Sequence, residues 1–588
     1  MDTSSVSQSV SVVHGMPLAD EPGMGPLTIP AYLREVTSRH GEREALVMHS
    51  EHGVERWSYR MLWDRSIEVA RALVACGIGK DSRVGILMAN RPEYLSAVFG
   101  TALAGGVSVA LSTFSTPAEL EYLLGVSGVS IVLFDGLVLK KDFGAMLADL
   151  EPQIRTAAPG CLRSAKFPYL QRLVRLASVA DARDAVRADA VSFEAWETFL
   201  AHGVDVDAAV VEARAAAVAP SDAGGLFFSS GTTSLPKGIL HAQQAFAIQW
   251  WRWPRVMSVE GAVRSWTGNG FFWSANITMI VGVALSTGGA VVLQPTFEPE
   301  MALTLMERER VTFLSGRPHQ WARLQEAENW SRVDLSSLRY ITNSALMLTH
   351  PTVKTDWRLP MSFGTTETMT INTSYSADTS PEQYAGSAGV PLPGNTLKIV
   401  DPQTGAVVPR GARGEICVKG PTLMLGYIGK GVEAVFDGEG YYCTGDGGYV
   451  DEVGRLYWEG RLTEIIKTGG ANVSPLEIDA VLSTYPGVRR TQTVGVPHDT
   501  LGEIVVGCVV PQDGASLDVE QIRAFLKERL ASFKVPRRIL FFDEQELAIT
   551  GSGKLKSDAL RQLAGARLGV SAPAVIDSTS TLDQRANH

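Results

Sequence analysis

The string Ser229-Ser230-Gly231-Thr232-Thr233-Ser234-Leu235-Pro236-Lys237-Gly238 gathers hydroxyls, small residues and one cation in a single short loop. It follows the apolar run Gly225 to Phe228 and so sits at a strand exit. Glycine lets backbone N–H groups approach an anion, Ser and Thr hydroxyls donate hydrogen bonds, and the Lys ammonium supplies charge, so the loop suits a polyphosphate. A flexible polar turn is the plain alternative, and the Pro-Lys-Gly ending adds specificity that such a turn lacks. The loop is not a Walker A motif, because Lys237 is followed by Gly238 rather than by Ser or Thr. A second candidate, Gly551-Ser552-Gly553-Lys554-Leu555, fails the same test, with Ala548 where the first glycine belongs and Leu555 after the lysine.

Further strings follow in order: Phe363-Gly364-Thr365-Thr366-Glu367, Tyr442-Cys443-Thr444-Gly445-Asp446, Gly460-Arg461, Lys467-Thr468-Gly469-Gly470-Ala471-Asn472-Val473, and Gly551 to Lys554. Together with the first loop they resemble the signature of the adenylate-forming superfamily: acyl-CoA synthetases, peptide-synthetase adenylation domains and beetle luciferases. The resemblance runs from about Tyr32 to Ala564. The ordered set is far more specific than any one string.

That resemblance implies an AMP-forming ligase that attacks the α-phosphorus of ATP with a carboxylate and passes the acyl group to coenzyme A. Charge then builds on phosphoryl oxygens and on pyrophosphate, and cations and hydroxyls must meet it. By resemblance, Ser229, Ser230, Gly231, Thr232, Thr233 and Lys237 hold the ATP phosphates. Thr365 and Thr366 donate to the α-phosphate, Gly364 belongs to the same ATP-binding string, and Glu367 holds Mg²⁺ through oxygen, a hard ligand for a hard ion. Phe363 offers a face for adenine, and Ser344-Ala345 aligns with the family's adenine-side loop; plain core packing is the alternative for both. Asp446 resembles the carboxylate that accepts from both ribose hydroxyls, against the alternative of an Asx turn. Arg461 would reach ribose or phosphate, an interdomain salt bridge being its other reading. Lys554 matches the lid lysine of adenylation, while Lys467, Gly469 and Gly470 match the segment that lines the coenzyme A path. The hinge position, usually Asp or Lys in the family, is Thr463 beside Glu464.

The acyl pocket is expected along Phe271, Phe272, Trp273 and Asn276, with Gly316 opposite; plain core packing is the alternative for the aromatic cluster. Trp273 stands where amino-acid-activating relatives carry an Asp, so an amino acid would lack its counterion. An apolar lining favours a hydrophobic carboxylic acid: fatty, cycloaliphatic or aromatic. Loading of a carrier-protein phosphopantetheine, a light-emitting oxygenase and a non-catalytic nucleotide-binding role are the rival readings.

These residues need a frame. From Tyr32 to Asp135, helical patterns such as Tyr59 to Cys76 alternate with short apolar runs such as Arg83 to Met88 and Ser130 to Phe134, the rhythm of βαβ units. The Ala- and Arg-rich stretch 137–218 reads as a helical insertion. Between Gly389 and Tyr457, short β-runs punctuated by Gly, Pro and Asp predict a small barrel or distorted antiparallel sheet. The expected class is α/β: a large N-terminal body of parallel αβ layers plus a small β-barrel, with a small mobile α+β C-terminal domain. Expected boundaries are a loose arm at 1–27, an AMP-binding domain at 28–460, a lid domain at 461–566 and a disordered tail at 567–588.

Composition narrows the partners. The 588 residues are 45% hydrophobic and 20% charged, the balance of a globular chain. A net charge of −10 argues against nucleic acid, which needs a concentrated basic surface. The apolar stretch Ile277 to Leu293 is interrupted by Thr278, Gly282, Ser286, Thr287, Gly288 and Gly289, and reads as helix, turn and buried strand rather than a membrane span. Cys76, Cys161, Cys417, Cys443 and Cys508 are scattered without a CxxC pair, which predicts neither a disulfide framework nor zinc and fits a cytoplasmic location.

Overall fold

The computed structural model describes residues 9–50, 53–177, 193–229, 236–342, 345–462, 464–468, 471–498, 501–530, 534–546 and 557–569. Contacts divide the chain into two units. The first holds residues 1–412, 416–444 and 449–457; the second holds 413–415, 445–448 and 458–588.

Two large sheets frame the first unit. An eight-stranded sheet runs Glu194–Ala195, Arg172–Leu176, Ile131–Asp135, Arg83–Leu87, Val107–Ala110, Ala223–Ser229, Lys237–Ala242, Gly426–Tyr427. Its first six strands are parallel and the last two pair antiparallel. A six-stranded sheet runs Tyr340–Ile341, Phe313–Ser315, Arg264–Thr267, Ala290–Leu293, Glu44–Ser50, Gly53–Ser58, parallel except at its final pair. Strands such as Ile131–Asp135 and Ala290–Leu293 are buried along their whole length, which explains the apolar runs Ile131 to Phe134 and Ala290 to Leu293. One apolar cluster joins residues of both sheets with the buried helices Pro92–Leu103, Gln243–Val256 and Ser274–Leu285. The interrupted apolar stretch is thus helix then strand, and no helix among the described residues is long and apolar enough to cross a membrane.

Three expectations change. Residues 9–27 are not a loose arm: Val12–His14 pairs antiparallel with Thr396–Val400, and Glu21 forms a buried ion pair with Arg252 at 2.8 Å. Polar, Ser/Val-rich composition hid a strand that finds its partner nearly four hundred residues away. The stretch 137–218 is not simply helical, because Arg172–Leu176 is a parallel strand beside Ile131–Asp135. Its Arg172 is neutralised by Glu194 of the next strand, at 2.5 Å, so a charged residue sits in the sheet without cost to the pattern. Finally, Cys417 and Cys443 form a disulfide, their Cα atoms 4.1 Å apart on neighbouring strands. Cross-strand register, not chain spacing, brought them together.

The β-rich region is a five-stranded sheet of order Val12–His14, Thr396–Val400, Gly414–Lys419, Tyr442–Val450, Leu456–Arg461. In the second unit, Ala471–Val473, Ile466–Thr468, Gly502–Pro511 and Val488–His498 form a sheet joined by Arg538–Phe541. Helices Pro475–Leu482 and Val519–Lys527 bury Ile478, Leu482, Ile522 and Leu526 with it in one core.

Candidate active site

The turn after Phe363 is shaped by close backbone approach. A Cβ on Gly364 would lie 1.6 Å from the Thr370 carbonyl oxygen, so only glycine fits. Met369 and Thr370 have φ of 50° and 91°, left-handed values that a β-branched residue rarely adopts. Surrounding groups hold this strained backbone in place. The buried Gln249 amide donates to the carbonyls of Met369 at 2.8 Å and Ile371 at 3.0 Å. His241 donates from Nε2 to the Thr366 carbonyl at 2.8 Å. Thr365 N–H donates to Thr368 Oγ1 at 2.9 Å.

This scaffold aims Glu367. Its buried carboxylate accepts from the Tyr427 hydroxyl at 2.7 Å, and that hydroxyl meets the Tyr442 hydroxyl at 2.8 Å. The Lys237 ammonium lies 5.3 Å from the Tyr427 ring centre, cation over π-face. Ser229 and Lys237 face each other across the hairpin of Ala223–Ser229 and Lys237–Ala242. The lysine of the sequence-predicted phosphate loop and the predicted metal carboxylate therefore meet on one tyrosine. Burial, then the Glu367 charge, pushes the Tyr427 phenol far above its ordinary value, keeping it a donor. Burial pushes His241 down to about 4 against the opposing Thr366 bond, so the imidazole is neutral at pH 7.

Thr365 Oγ1 is buried without a hydrogen-bond partner among the described residues, which leaves a hydroxyl for a ligand oxygen. No group of three or more His, Cys, Asp and Glu side chains gathers among those residues. A single carboxylate that shares Tyr427 with the Lys237 ammonium fits Mg²⁺, which keeps waters and shares substrate oxygens rather than filling a protein cage.

The predicted acyl residues lie at the carboxyl ends of parallel strands, the usual edge for ligands in such sheets. Arg264–Thr267 leads into Phe271, and its parallel neighbour Phe313–Ser315 ends at Gly316. Phe271 and Phe272 are buried, Trp273 is half-buried at the start of Ser274–Leu285, and Phe272 meets both Trp273 and Phe114 at 5.5 Å. Asn276 donates from its side chain to the Gly270 carbonyl at 3.2 Å. A Cβ on Gly316 would stand 2.4 Å from the Trp321 ring, so this glycine makes room for an indole. Phe363 is buried and Ala345 exposed.

Within the second unit, Arg461 approaches Asp446 at 3.3 Å, and Trp458 donates from its indole to the same carboxylate oxygen at 3.3 Å. Lys467 is exposed on Ile466–Thr468, with its backbone N–H donating to Glu503 at 2.8 Å. Ser230, Gly231, Thr232, Thr233, Ser344, Gly469, Gly470 and Lys554 lie outside the described residues. His241, Gln249 and Tyr427 escaped the sequence reading. Tyr442 heads one of the strings and meets the Tyr427 hydroxyl.

A family model for AMP-binding enzymes matches residues 33–428, and one for the AMP-binding enzyme C-terminal domain matches 477–554. Indoleacetate–CoA ligase of Aromatoleum aromaticum is 31% identical over 86% of this chain and 93% of its own length. A (7a-methyl-1,5-dioxo-octahydro-1H-inden-4-yl)propanoyl:CoA ligase of Mycobacterium tuberculosis is 30% identical over 91% of this chain and 99% of its own. Among solved structures, ATP-bound MatB from Rhodopseudomonas palustris superposes with a TM-score of 0.71 at 25% identity, covering 91% of this chain and 99% of that one.

Proposed function

The chain belongs to the AMP-binding enzyme family as an AMP-forming acyl-CoA ligase, and from that premise we propose that it activates a hydrophobic carboxylic acid, fatty, cycloaliphatic or aromatic. The observation that carries the adenylation site is the Glu367–Tyr427–Tyr442 chain beside Lys237. The aromatic group Phe114, Phe272 and Trp273 supports an apolar acid, and the two relatives named for ring-bearing acids support the same class.

In the first half-reaction a carboxylate oxygen of the acid bonds to the α-phosphorus of ATP, and the bond from that phosphorus to pyrophosphate breaks. Lys237 places positive charge beside the departing phosphates, and Thr365 Oγ1 donates to an α-phosphoryl oxygen. Tyr427 and Tyr442 hold the Glu367 carboxylate in one orientation. Glu367 would hold Mg²⁺, which would supply charge neutralisation for the phosphates. His241 and Gln249 fix the turn that carries Thr365 and Glu367. Asp446 accepts from the ribose hydroxyls, with Arg461 beside it, and Lys554 bridges the acid and the α-phosphate. In the second half-reaction the coenzyme A sulfur bonds to the acyl carbon, the acyl–AMP bond breaks, and the thiol proton leaves. Lys467, Gly469 and Gly470 line the path of the pantetheine arm.

The test is pyrophosphate release over a panel of acids, with and without coenzyme A, and acyl-CoA measured directly. Acid-dependent release with thioester appearing only when coenzyme A is present is expected. Thioester formed on a holo-carrier protein but not on free coenzyme A would overturn the acceptor, and turnover confined to amino acids would overturn the acid.

A further inference from the structure

The loop after Arg264–Thr267 carries the predicted acyl residues, and its position is set from the other sheet. Asn90 follows the strand Arg83–Leu87 and is buried. Its carboxamide nitrogen donates to the Asn269 carbonyl at 2.8 Å, and its oxygen accepts the Phe271 N–H at 2.9 Å. Buried backbone groups need partners, and here one side chain satisfies a carbonyl and an N–H on either side of Gly270. A carboxamide presents a donor and an acceptor together in one plane at this reach, and the two partners fix which atom is which.

The clamp is itself held. Asp135, buried at the end of Ile131–Asp135, accepts the Ala89 N–H at 2.8 Å and pairs with Arg91 at 2.5 Å. One carboxylate thus anchors the residues before and after Asn90. Tyr94 adds a second contact, its ring 5.6 Å from that of Phe271. The loop has no slack at Gly270, where a Cβ would meet the Phe272 ring at 2.1 Å.

We propose that Asn90 is a positioning residue for acid selection: by bonding Asn269 and Phe271 it sets where Phe272 and Trp273 stand, and so which acid fits. This rests on the acid-ligase reading above. It predicts an effect on the acid and none on the nucleotide, since among the described residues the Asn90 side chain bonds the acyl-side loop.

Asn90→Ala removes both bonds. Asn90→Asp keeps the acceptor at the same reach and, once ionised, removes the donor, so it is measured at a pH high enough to ionise it. For each variant, KM and kcat of pyrophosphate release are measured over acids of graded size, and ATP affinity is measured without acid. Loss of one buried hydrogen bond in Asn90→Asp or of both in Asn90→Ala predicts KM for the preferred acid raised about 10- to 100-fold, with a flattened or reordered acid ranking and unchanged ATP affinity. Asn90→Asp, which preserves length and volume, carries the test if Asn90→Ala does not fold. An unmoved ranking in the folded variants, or equal losses of acid and ATP affinity, overturns the clamp. Absence of acid-dependent release in the wild type would overturn the ligase reading itself.

Discussion

Glu367 and its tyrosines make the chemistry testable one residue at a time. Glu367→Gln keeps shape and removes charge, so acid-dependent pyrophosphate release should fall ~10²–10³-fold, the scale of one lost transition-state contact. Tyr427→Phe keeps the ring beneath Lys237 and removes only the hydroxyl that orients the carboxylate. A loss of about 10-fold is expected, in line with one hydrogen bond to a charged group. A Glu367→Gln enzyme at near wild-type rate would reassign that carboxylate to structure. On the acyl side, Trp273→Ala removes an indole from a half-buried site beside Phe272. Its kcat/KM ranking should move toward bulkier acids, because the vacated apolar volume favours a ligand that fills it. An unchanged ranking would place Trp273 in the core.

At the scale of elements, Lys237–Ala242 links the site to pH. His241 on this strand is fully buried, and its folded pKa of about 4 lies below the ordinary 6.5. Neutral His241 therefore favours the fold above pH 6.5, and this contribution is lost as pH falls from there toward 4. The loss is on the order of 3 kcal/mol when complete. His241→Gln keeps a donor for the Thr366 carbonyl without the titration, so the stability difference from wild type should shrink on acidification. Denaturant unfolding at neutral pH and near pH 4 reads this, and parallel curves for the two proteins would exclude His241. The N-terminal segment makes a second case. Glu21 neutralises Arg252, whose side chain is fully buried and also donates to the Pro393 carbonyl at 2.7 Å. Glu21→Ala strands that charge, which should cost about 3–5 kcal/mol and lower Tm. An unshifted Tm would show that the segment adds nothing to the fold.

At the scale of the molecule, two half-reactions must use one chain. If Lys554 serves adenylation and Gly470 the pantetheine path, their variants should fail oppositely. Lys554→Ala should lose acyl-AMP formation ~10²–10³-fold yet convert supplied acyl-AMP to thioester. Gly470→Leu should accumulate acyl-AMP, because a branched side chain occupies space the thiol arm needs. Equal loss of both half-reactions in a folded Gly470→Leu enzyme would remove support for alternation between two states of the small domain. The amino-acid sequence by itself pointed to the reaction class through the resemblance of its ordered strings to the adenylate-forming superfamily, because such strings are local properties of side-chain type and spacing. It also determined the parallel αβ body, since strands buried on both faces need unbroken apolar runs. Only the tertiary structure decided what orients the chemistry. Tyr427 reaches Glu367 across 60 residues of chain, His241 reaches Thr366 across 125, and Asn90 reaches Phe271 across 181. Val12–His14 and the Cys417–Cys443 pair became visible only in the same way. Such contacts are fixed by which strands pair and in what register, and pairing is settled by burial of the whole core, so no local pattern records it.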